Sequence, residues 1–212
     1  MTKENNINSK EGFTIIEVVL VLAIAGLIFL MVFVALPALQ RSQRDTARRN
    51  DLARVDTSLT QYQTNNQNTN NNTNLPTEGV VAPQANSSSY PEGCQSNSAC
   101  MFIMRYMNAG DSDAATINEF EDADGTVYGL SITAYGNEVK KPSDGATYGL
   151  NYVSGTDGKN VYSYTGLNNM DHMIYIITSA MCSGETAVSG SKRDYAILYR
   201  LEGSGVYCID NR

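Results

Sequence analysis

The distribution of apolar residues divides the chain into a short polar start, a long apolar segment and a polar remainder. Residues 18–39, VVLVLAIAGLIFLMVFVALPAL, contain no charged or strongly polar side chain. About twenty consecutive apolar residues are enough for a helix to cross the hydrocarbon of a bilayer. The carboxylate of Glu17 stands where this run begins, and an ionisable group at the edge of a membrane helix needs a partner. The pattern predicts a hydrophobic helix over residues 13–39 with a functional carboxylate at its start.

An amphipathic pattern follows the apolar run. Four apolar residues recur at steps of three and four, which places them on one helical face: Leu52, Val55, Leu59 and Tyr62. Asp45 precedes Arg49 by four residues, a spacing that favours a weak surface ion pair. We therefore expect the helix to continue over residues 40–64 and to offer an apolar stripe on which a folded domain can pack.

The later part of the chain alternates turns with short apolar stretches. Residues 61–75, QYQTNNQNTNNNTNL, are polar and Asn-rich, and such a tract cannot bury enough apolar area to offset its ordering entropy. We expect a variable polar loop over residues 65–100. Beyond it, Asp-Gly turns open two similar stretches, DGTVYGL at 124–130 and DGATYGL at 144–150, which is a strong hairpin signal. Five strands are predicted, at 127–135, 148–153, 173–178, 195–201 and 206–209.

Several strands after one long helix indicate an α+β fold. We expect the long N-terminal hydrophobic helix to pack against a C-terminal antiparallel β-sheet domain over residues 101–212. The composition agrees, because thirteen Tyr, seventeen Gly and no Trp are typical of a domain rich in strands and turns. At 212 residues, the chain is long enough for one membrane segment and one such domain.

The charge of the chain is unevenly distributed. The net charge is −7, and the later part is acidic, so it offers no basic stripe to nucleic acid. Six basic residues flank the apolar run: Lys10, Arg41, Arg44, Arg48, Arg49 and Arg54. Positive residues usually remain on the cytoplasmic side of a membrane helix, so these arginines conflict with an exported C-terminal domain. We interpret the arginine cluster as a solvated helix face, or as contacts to neighbouring subunits or lipid headgroups.

The four cysteines are Cys94, Cys100, Cys182 and Cys208. An even number of cysteines beside a membrane-export segment predicts two disulfides in an oxidising compartment. A zinc site is the alternative, but no C-x-x-C pair exists and the chain has a single histidine. Sequence alone leaves three connectivities open; proximity favours Cys94 with Cys100 and Cys182 with Cys208.

Little in the sequence points to catalysis or to a cofactor. The acidic stretch around Asp122 and Asp124 resembles part of a calcium loop, but it lacks the twelve-residue spacing with a terminal glutamate, so an acidic turn is the better interpretation. His172 has no accompanying nucleophile motif, and a solvated or structurally bonded histidine is expected. Phosphate-binding glycine loops are absent from the sequence. We expect no enzyme activity, no cofactor and no bound metal.

The residues GFTIIE, at positions 12–17, followed by the long apolar run, resemble the N-terminal signature of type IV prepilins, which carry a class III leader. The resemblance implies that residues 1–12 are a leader peptide and that a prepilin peptidase cuts after Gly12. Phe13 is then the first residue of the mature chain and can be N-methylated. The resemblance also implies that Glu17 meets the Phe13 amine of an adjacent subunit during assembly, and that the segment from Gly26 to Pro37 can lose helicity in a filament.

The resemblance further implies a set of partners and a location. The chain would self-associate as a helical homopolymer and would meet the prepilin peptidase and a membrane assembly platform with its ATPase. Nucleic acid is not expected as a primary ligand. The precursor would lie in the inner or cytoplasmic membrane, and the assembled pilus would lie on the cell surface. Whether such a fibre serves adhesion, motility or DNA uptake does not follow from the sequence.

Two alternatives stay open. A pseudopilin or minor pilin of a secretion or DNA-uptake system shares the same N-terminus, so sequence separates it poorly from a major pilin. A membrane-anchored extracellular binding domain would keep its helix in the lipid and retain its N-terminal residues.

Overall fold

The computed structural model describes residues 12–66, 74–81, 84–85, 98–107, 121–142, 149–155, 159–164, 172–203 and 205–212. The predicted α+β fold is confirmed: a long N-terminal apolar helix precedes a domain rich in antiparallel strands. The chain forms two compact units, which divide between Arg41 and Ser42.

Helix α1 spans Ile15–Asn65 and runs through both Gly26 and Pro37. Pro37 removes one backbone donor, but a helix tolerates an isolated proline where its surroundings re-satisfy the freed carbonyl. The residues up to Arg41 belong to the first unit, and the remainder of α1 belongs to the second. Loss of helicity between Gly26 and Pro37 on assembly therefore remains a prediction about the filament.

Within the second unit, α1 packs through the predicted apolar stripe. Leu52, Val55 and Leu59 are completely buried, and Tyr62 packs against the same cluster. Because these residues recur at helical spacing, the opposite face of α1 remains exposed. The predicted stripe is confirmed.

The second unit contains eleven strands among its described residues. Their bounds are β1 Gly79–Val81, β2 Gln84–Ala85, β3 Thr126–Val127, β4 Gly129–Ala134, β5 Leu150–Ser154, β6 Asn160–Tyr164, β7 Met173–Thr178, β8 Ala180–Ser183, β9 Thr186–Ser189, β10 Tyr195–Arg200 and β11 Val206–Asp210. A short helix α2, Ser98–Phe102, continues as a π-helical turn, Ile103–Met107.

The strands form one five-stranded, one four-stranded and one two-stranded sheet. The five-stranded sheet has the order β1-β4-β7-β10-β11, and the four-stranded sheet has the order β5-β6-β9-β8. Strands β2 and β3 make the small sheet. The described strands pair in antiparallel fashion except β4 with β7, whose parallel register joins Gly129 to Met173.

The five-stranded sheet is covered on both faces. Alternate residues of β7 point to opposite sides: Ile174 and Ile176 pack with α1, whereas Tyr175 and Ile177 pack with the four-stranded sheet. Strand β7 is therefore buried along its whole length and reads as a continuous apolar run rather than as an alternating one. The second sheet was not anticipated from the sequence, which predicted one sheet on one helix.

A disulfide joins the two larger sheets. Cys182 of β8 is bonded to Cys208 of β11, with 5.8 Å between their Cα atoms. This is one of the two pairs that proximity favoured. The other pair involves Cys94 and the side chain of Cys100, which lie outside the described part of the chain.

Replacing both Cys182 and Cys208 by serine is expected to lower the free energy of unfolding by about 3–4 kcal/mol. The bond closes a loop with a sequence separation of 26 residues, and a cross-link of this span removes chain entropy from the unfolded state. Chemical denaturation of the variant and the wild type in the same detergent measures the difference. A change below about 1 kcal/mol would show that the unfolded chain is compact without the bond.

Candidate functional sites at the helix start and at a buried charge cluster

The predicted processing and assembly positions lie at an exposed helix start. Gly12, Phe13 and Thr14 precede α1, which begins at Ile15, and all are exposed. Phe13 is 90% exposed. Exposed, non-helical backbone is the form in which proteases cut a chain. The geometry is therefore suited to cleavage of the Gly12–Phe13 bond.

Thr14 and Glu17 form a capping box at the start of α1. The Thr14 backbone N–H donates to Glu17 Oε2 at 2.8 Å, and the Thr14 hydroxyl donates to the same oxygen at 2.9 Å. The Glu17 N–H donates in return to Thr14 Oγ1 at 3.4 Å. Thr14 is thus the N-cap and Glu17 the third helical residue, which is the arrangement of the T-x-x-E signature. The carboxylate therefore also helps to start the helix, a role that the sequence analysis missed although T-x-x-E carries its signal.

Within the described residues, no hydrogen bond or ion pair joins Phe13 to Glu17, whose carboxylate is held by Thr14. In the uncut chain the nitrogen of Phe13 is an uncharged peptide nitrogen, so it offers the carboxylate no charge. Cleavage after Gly12 converts this nitrogen into an α-amine, whose ordinary pKa is about 7.7–8.0. Only the processed chain can therefore form the predicted pair.

The apolar part of α1 is exposed along its length. No side chain from Phe13 to Leu39 is buried, and the most apolar window of the helix makes no buried contact in the protein. Within the described residues, α1 is the one helix long and apolar enough to cross a membrane. Contiguous apolar surface of this extent marks a contact with lipid or with other protein.

The second site is a buried charge cluster, the Arg48 cluster, which comprises Arg44, Asp45, Arg48, Asp122, His172 and Glu202. The Arg48 side chain is 1% exposed and the Asp122 side chain is 0% exposed. Arg48 Nε lies 2.7 Å from Asp122 Oδ1, and Arg48 Nη2 lies 2.9 Å from Asp122 Oδ2. The planar guanidinium of Arg48 and the carboxylate of Asp122 therefore form a bidentate ion pair. It ties α1 to the turn that precedes β3.

Two further carboxylates complete the surroundings of Arg48. Arg48 Nη1 lies 3.1 Å from Asp45 Oδ1 and 3.1 Å from Glu202 Oε2. Asp45 also accepts the backbone N–H groups of Glu202 and Gly203, each at 2.9 Å. Glu202 in turn accepts two hydrogen bonds from Arg44, at 2.8 and 2.6 Å. The cluster thus joins α1 to the turn after β10 as well.

The electrostatics of the cluster follow from these contacts. Burial alone would raise the pKa of Asp122, but hydrogen bonds from His172 and Arg48 outweigh it and hold this pKa below its usual range. The hydrogen bond from Arg44 lowers the pKa of Glu202 to about 2. The pKa of Arg48 is raised, because its carboxylate partners outweigh the desolvation that burial causes. Asp122, Glu202 and Arg48 are therefore charged at neutral pH.

The structure corrects two interpretations of the arginines. Arg48 does not lie on a solvated helix face, because Asp45, Asp122 and Glu202 enclose it. The expected pair of Asp45 with Arg49 does not form, since Asp45 is engaged by Arg48 and by backbone N–H groups. Arg49 instead lies over the ring of Tyr207, 5.5 Å from its centroid. Sequence spacing could not show that the carboxylate has other partners.

Asp122, Asp124 and His172 place potential ligand atoms within 4.8 Å of one another. Asp122 nevertheless has no lone pair to spare. Its Oδ1 accepts from Arg48 and from the Ala123 N–H, and its Oδ2 accepts from Arg48, from His172 at 3.0 Å and from the Tyr199 hydroxyl at 3.3 Å. The adjacent guanidinium would also repel a cation. We interpret this group as an ion-pair network.

Comparisons of the chain with protein-family models, with curated proteins and with solved structures found no match. The roles of the two sites therefore follow from their own geometry and chemistry.

Proposed function

We propose that the chain is a type IV pilin-like subunit that is cut after Gly12 and assembles through α1 into an extracellular filament. The observation that carries this proposal is the helix start: an exposed apolar helix opens on a carboxylate, Glu17, four residues after a cleavable exposed glycine–phenylalanine bond.

The exposed apolar surface supports both a membrane stage and an assembly stage. In water, each large apolar side chain gains about 1.5–3 kcal/mol from burial, so this helix must be covered. Lipid covers it as well as protein does, so hydrophobicity alone does not draw copies of the helix out of the membrane. Assembly needs an additional directional contact, and Glu17 is the one ionised group in the sequence from Phe13 to Leu39.

The directional contact follows from processing. Cleavage frees the Phe13 ammonium, and in a water-poor helix bundle this cation and the Glu17 carboxylate would each be costly alone. Pairing the amine of an incoming subunit with Glu17 of its neighbour offsets both costs. Because one copy uses its amine and the other its carboxylate, the contact is head-to-tail and can repeat without closing. Such a contact generates a filament.

The second unit has features that suit an extracellular head. Its two larger sheets are cross-linked by the Cys182–Cys208 disulfide, and disulfides persist in oxidising compartments. We assign this unit no catalytic role. Its surface would face outward in the filament, while the apolar half of α1 would form the filament core.

Mass spectrometry of the mature N-terminus together with fractionation of sheared cells tests the proposal. We expect the protein to begin at Phe13, with or without an N-methyl group, and to appear in sheared filaments. A chain that keeps residues 1–12 and stays in the membrane fraction would instead be an anchored extracellular domain. A processed chain that is scarce in abundant filaments would be a minor pilin or a pseudopilin.

A further inference from the structure

His172 lies between two carboxylates at the start of the central strand β7. Its Nδ1 is 3.0 Å from Asp122 Oδ2, and its Nε2 is 3.5 Å from Asp124 Oδ2. The imidazole side chain is 20% exposed. A neutral imidazole carries one N–H and can donate to one carboxylate, whereas the imidazolium carries two and can serve both. Only the protonated form therefore both donates to Asp122 and carries a charge that attracts Asp124 across 3.5 Å.

The position of His172 connects this contact to the rest of the fold. The His172 carbonyl accepts the N–H of Gly129 at 2.9 Å, immediately before the parallel pairing of β4 with β7. Asp122, on the other side of the imidazole, holds Arg48 of α1. The histidine thus joins the turn at residues 121–125, and through it α1, to the start of β7.

Charged groups from several elements face this histidine directly or through Asp122. Asp122 and Asp124 come from the turn, Arg48 comes from α1, and the Tyr199 hydroxyl of β10 also donates to Asp122. Beyond Arg48 lie three more members of the cluster: Arg44, Asp45 and Glu202. The described groups contain two guanidiniums and four carboxylates, so an added positive charge on the imidazole reduces an excess of negative charge.

We propose that the His172 imidazolium is a protonation-dependent clasp that fastens the 121–125 turn, and with it α1, to the start of β7 more firmly in mildly acidic than in mildly alkaline solution. This device concerns the fold of the second unit and is independent of filament assembly.

The direction of the pH dependence agrees with the surroundings of the ring. The hydrogen bond to Asp122 raises the pKa of His172, burial opposes it, and the charge of Asp124 adds to the increase. A raised folded-state pKa contributes stability that is fully present below the unfolded-state value of about 6.5 and is lost as the pH rises through the folded-state value. For each unit of increase, the folding equilibrium constant falls about tenfold across that window.

His172 is the single histidine of the chain, so its imidazole resonances can be followed by NMR without assignment. We expect the full chain in detergent to show a His172 pKa above about 6.5. Asp124→Asn removes the carboxylate opposite Nε2 but leaves the Arg48–Asp122 contact, and it is expected to lower this pKa. A wild-type pKa at or below about 6.5, or an unchanged pKa in Asp124→Asn, would overturn the proposal.

His172→Asn supplies the matched control for stability. The asparagine amide can replace the Nδ1 donor, and asparagine tolerates the left-handed backbone of this position, where φ is 48°. The wild-type melting temperature is expected to fall between about pH 6 and about pH 8.5, and that of His172→Asn is expected to fall less. The N-terminal amine titrates in both proteins and cancels in the comparison. Equal pH dependence of the two proteins would contradict the clasp, and if His172→Asn fails to fold, the NMR titration decides.

Discussion

Glu17→Gln is expected to leave the protein in the membrane and cut after Gly12, but to remove it from filaments. Glutamine serves at the third helical position of a capping box as glutamate does, so the start of α1 is preserved. It has no charge, however, to pair with the Phe13 amine of the next subunit. Breaking one side of a water-excluded ion pair leaves the other charge uncompensated, so we expect filament yield to fall by more than about 100-fold.

Thr14→Val is the matched variant. It removes the hydroxyl that donates to Glu17 Oε2 and accepts the Glu17 N–H, while the carboxylate and its charge remain. Loss of an N-cap is a modest effect, so we expect filament yield to fall by about tenfold or less. Immunoblots of sheared and membrane fractions measure the yields, and mass spectrometry confirms that each variant is still cut after Gly12.

Two outcomes would remove the proposed role of the carboxylate. Normal piliation in Glu17→Gln would show that the charge is dispensable. Equal loss of filaments in Thr14→Val and Glu17→Gln, with normal membrane levels, would show that the contact of the carboxylate with Thr14, rather than a charge pair with the next subunit, accounts for the loss. The contrast between the two variants matters because Glu17 has a local partner, Thr14, and a proposed intermolecular partner, and alanine would delete both together.

The helix could be predicted from the sequence because its signals are local. The apolar run is continuous, and Leu52, Val55 and Leu59 repeat at steps of three and four residues. The structure contains both the helix and its buried stripe. Strands β4, β7, β10 and β11 were predictable for the same reason, since each is a run of apolar or alternating residues. The proximity of Cys182 to Cys208 in sequence likewise pointed to their bond.

Strand β5 of the four-stranded sheet was predicted, at residues 148–153, but the sheet itself was not, because strands β8 and β9 carry weak patterns. Strand β8 is AMCS and β9 is TAVS, and short stretches of small and polar residues are equally typical of turns. Strand β8 pairs with β9, and β9 also pairs with β6, whose Tyr162 lies opposite Ala187. Ala180 and Ala187 are buried in the cluster that also contains Tyr175 and Leu198, and this tertiary packing leaves no pattern in such short strands.

The Arg48 cluster could not be predicted because its partners are far apart in the sequence. Arg48 meets Asp122 across 74 residues of sequence and Glu202 across 154. A single sequence shows only that arginines follow the apolar run, so a solvated face was the natural interpretation. The capping box, by contrast, lies within four residues, and its T-x-x-E spacing could have been recognised.

Arg48→Met is expected to lower the free energy of unfolding by about 3–5 kcal/mol, because it leaves the carboxylate of Asp122 buried without its guanidinium. The methionine fills much of the volume of the arginine, so the loss reports on charge rather than on a cavity. Arg49→Met is the control: this arginine is exposed and lies over Tyr207, and its loss should cost about 1 kcal/mol or less. Chemical denaturation of the full chain in detergent measures both.

The double variant Arg48→Met with Asp122→Leu tests whether Arg48 stabilises the fold through its ion pair with Asp122 or through its other contacts. Replacing both members of a buried pair by apolar residues removes both desolvated charges, so the double variant should be more stable than Arg48→Met alone. Recovery should be incomplete, because the Tyr199 hydroxyl and His172 also bind Asp122 and would lose that acceptor. A double variant as unstable as Arg48→Met would mean that Arg48 stabilises the fold mainly through Asp45 and Glu202, and the attachment of α1 would then depend on the turn after β10 rather than on the turn before β3.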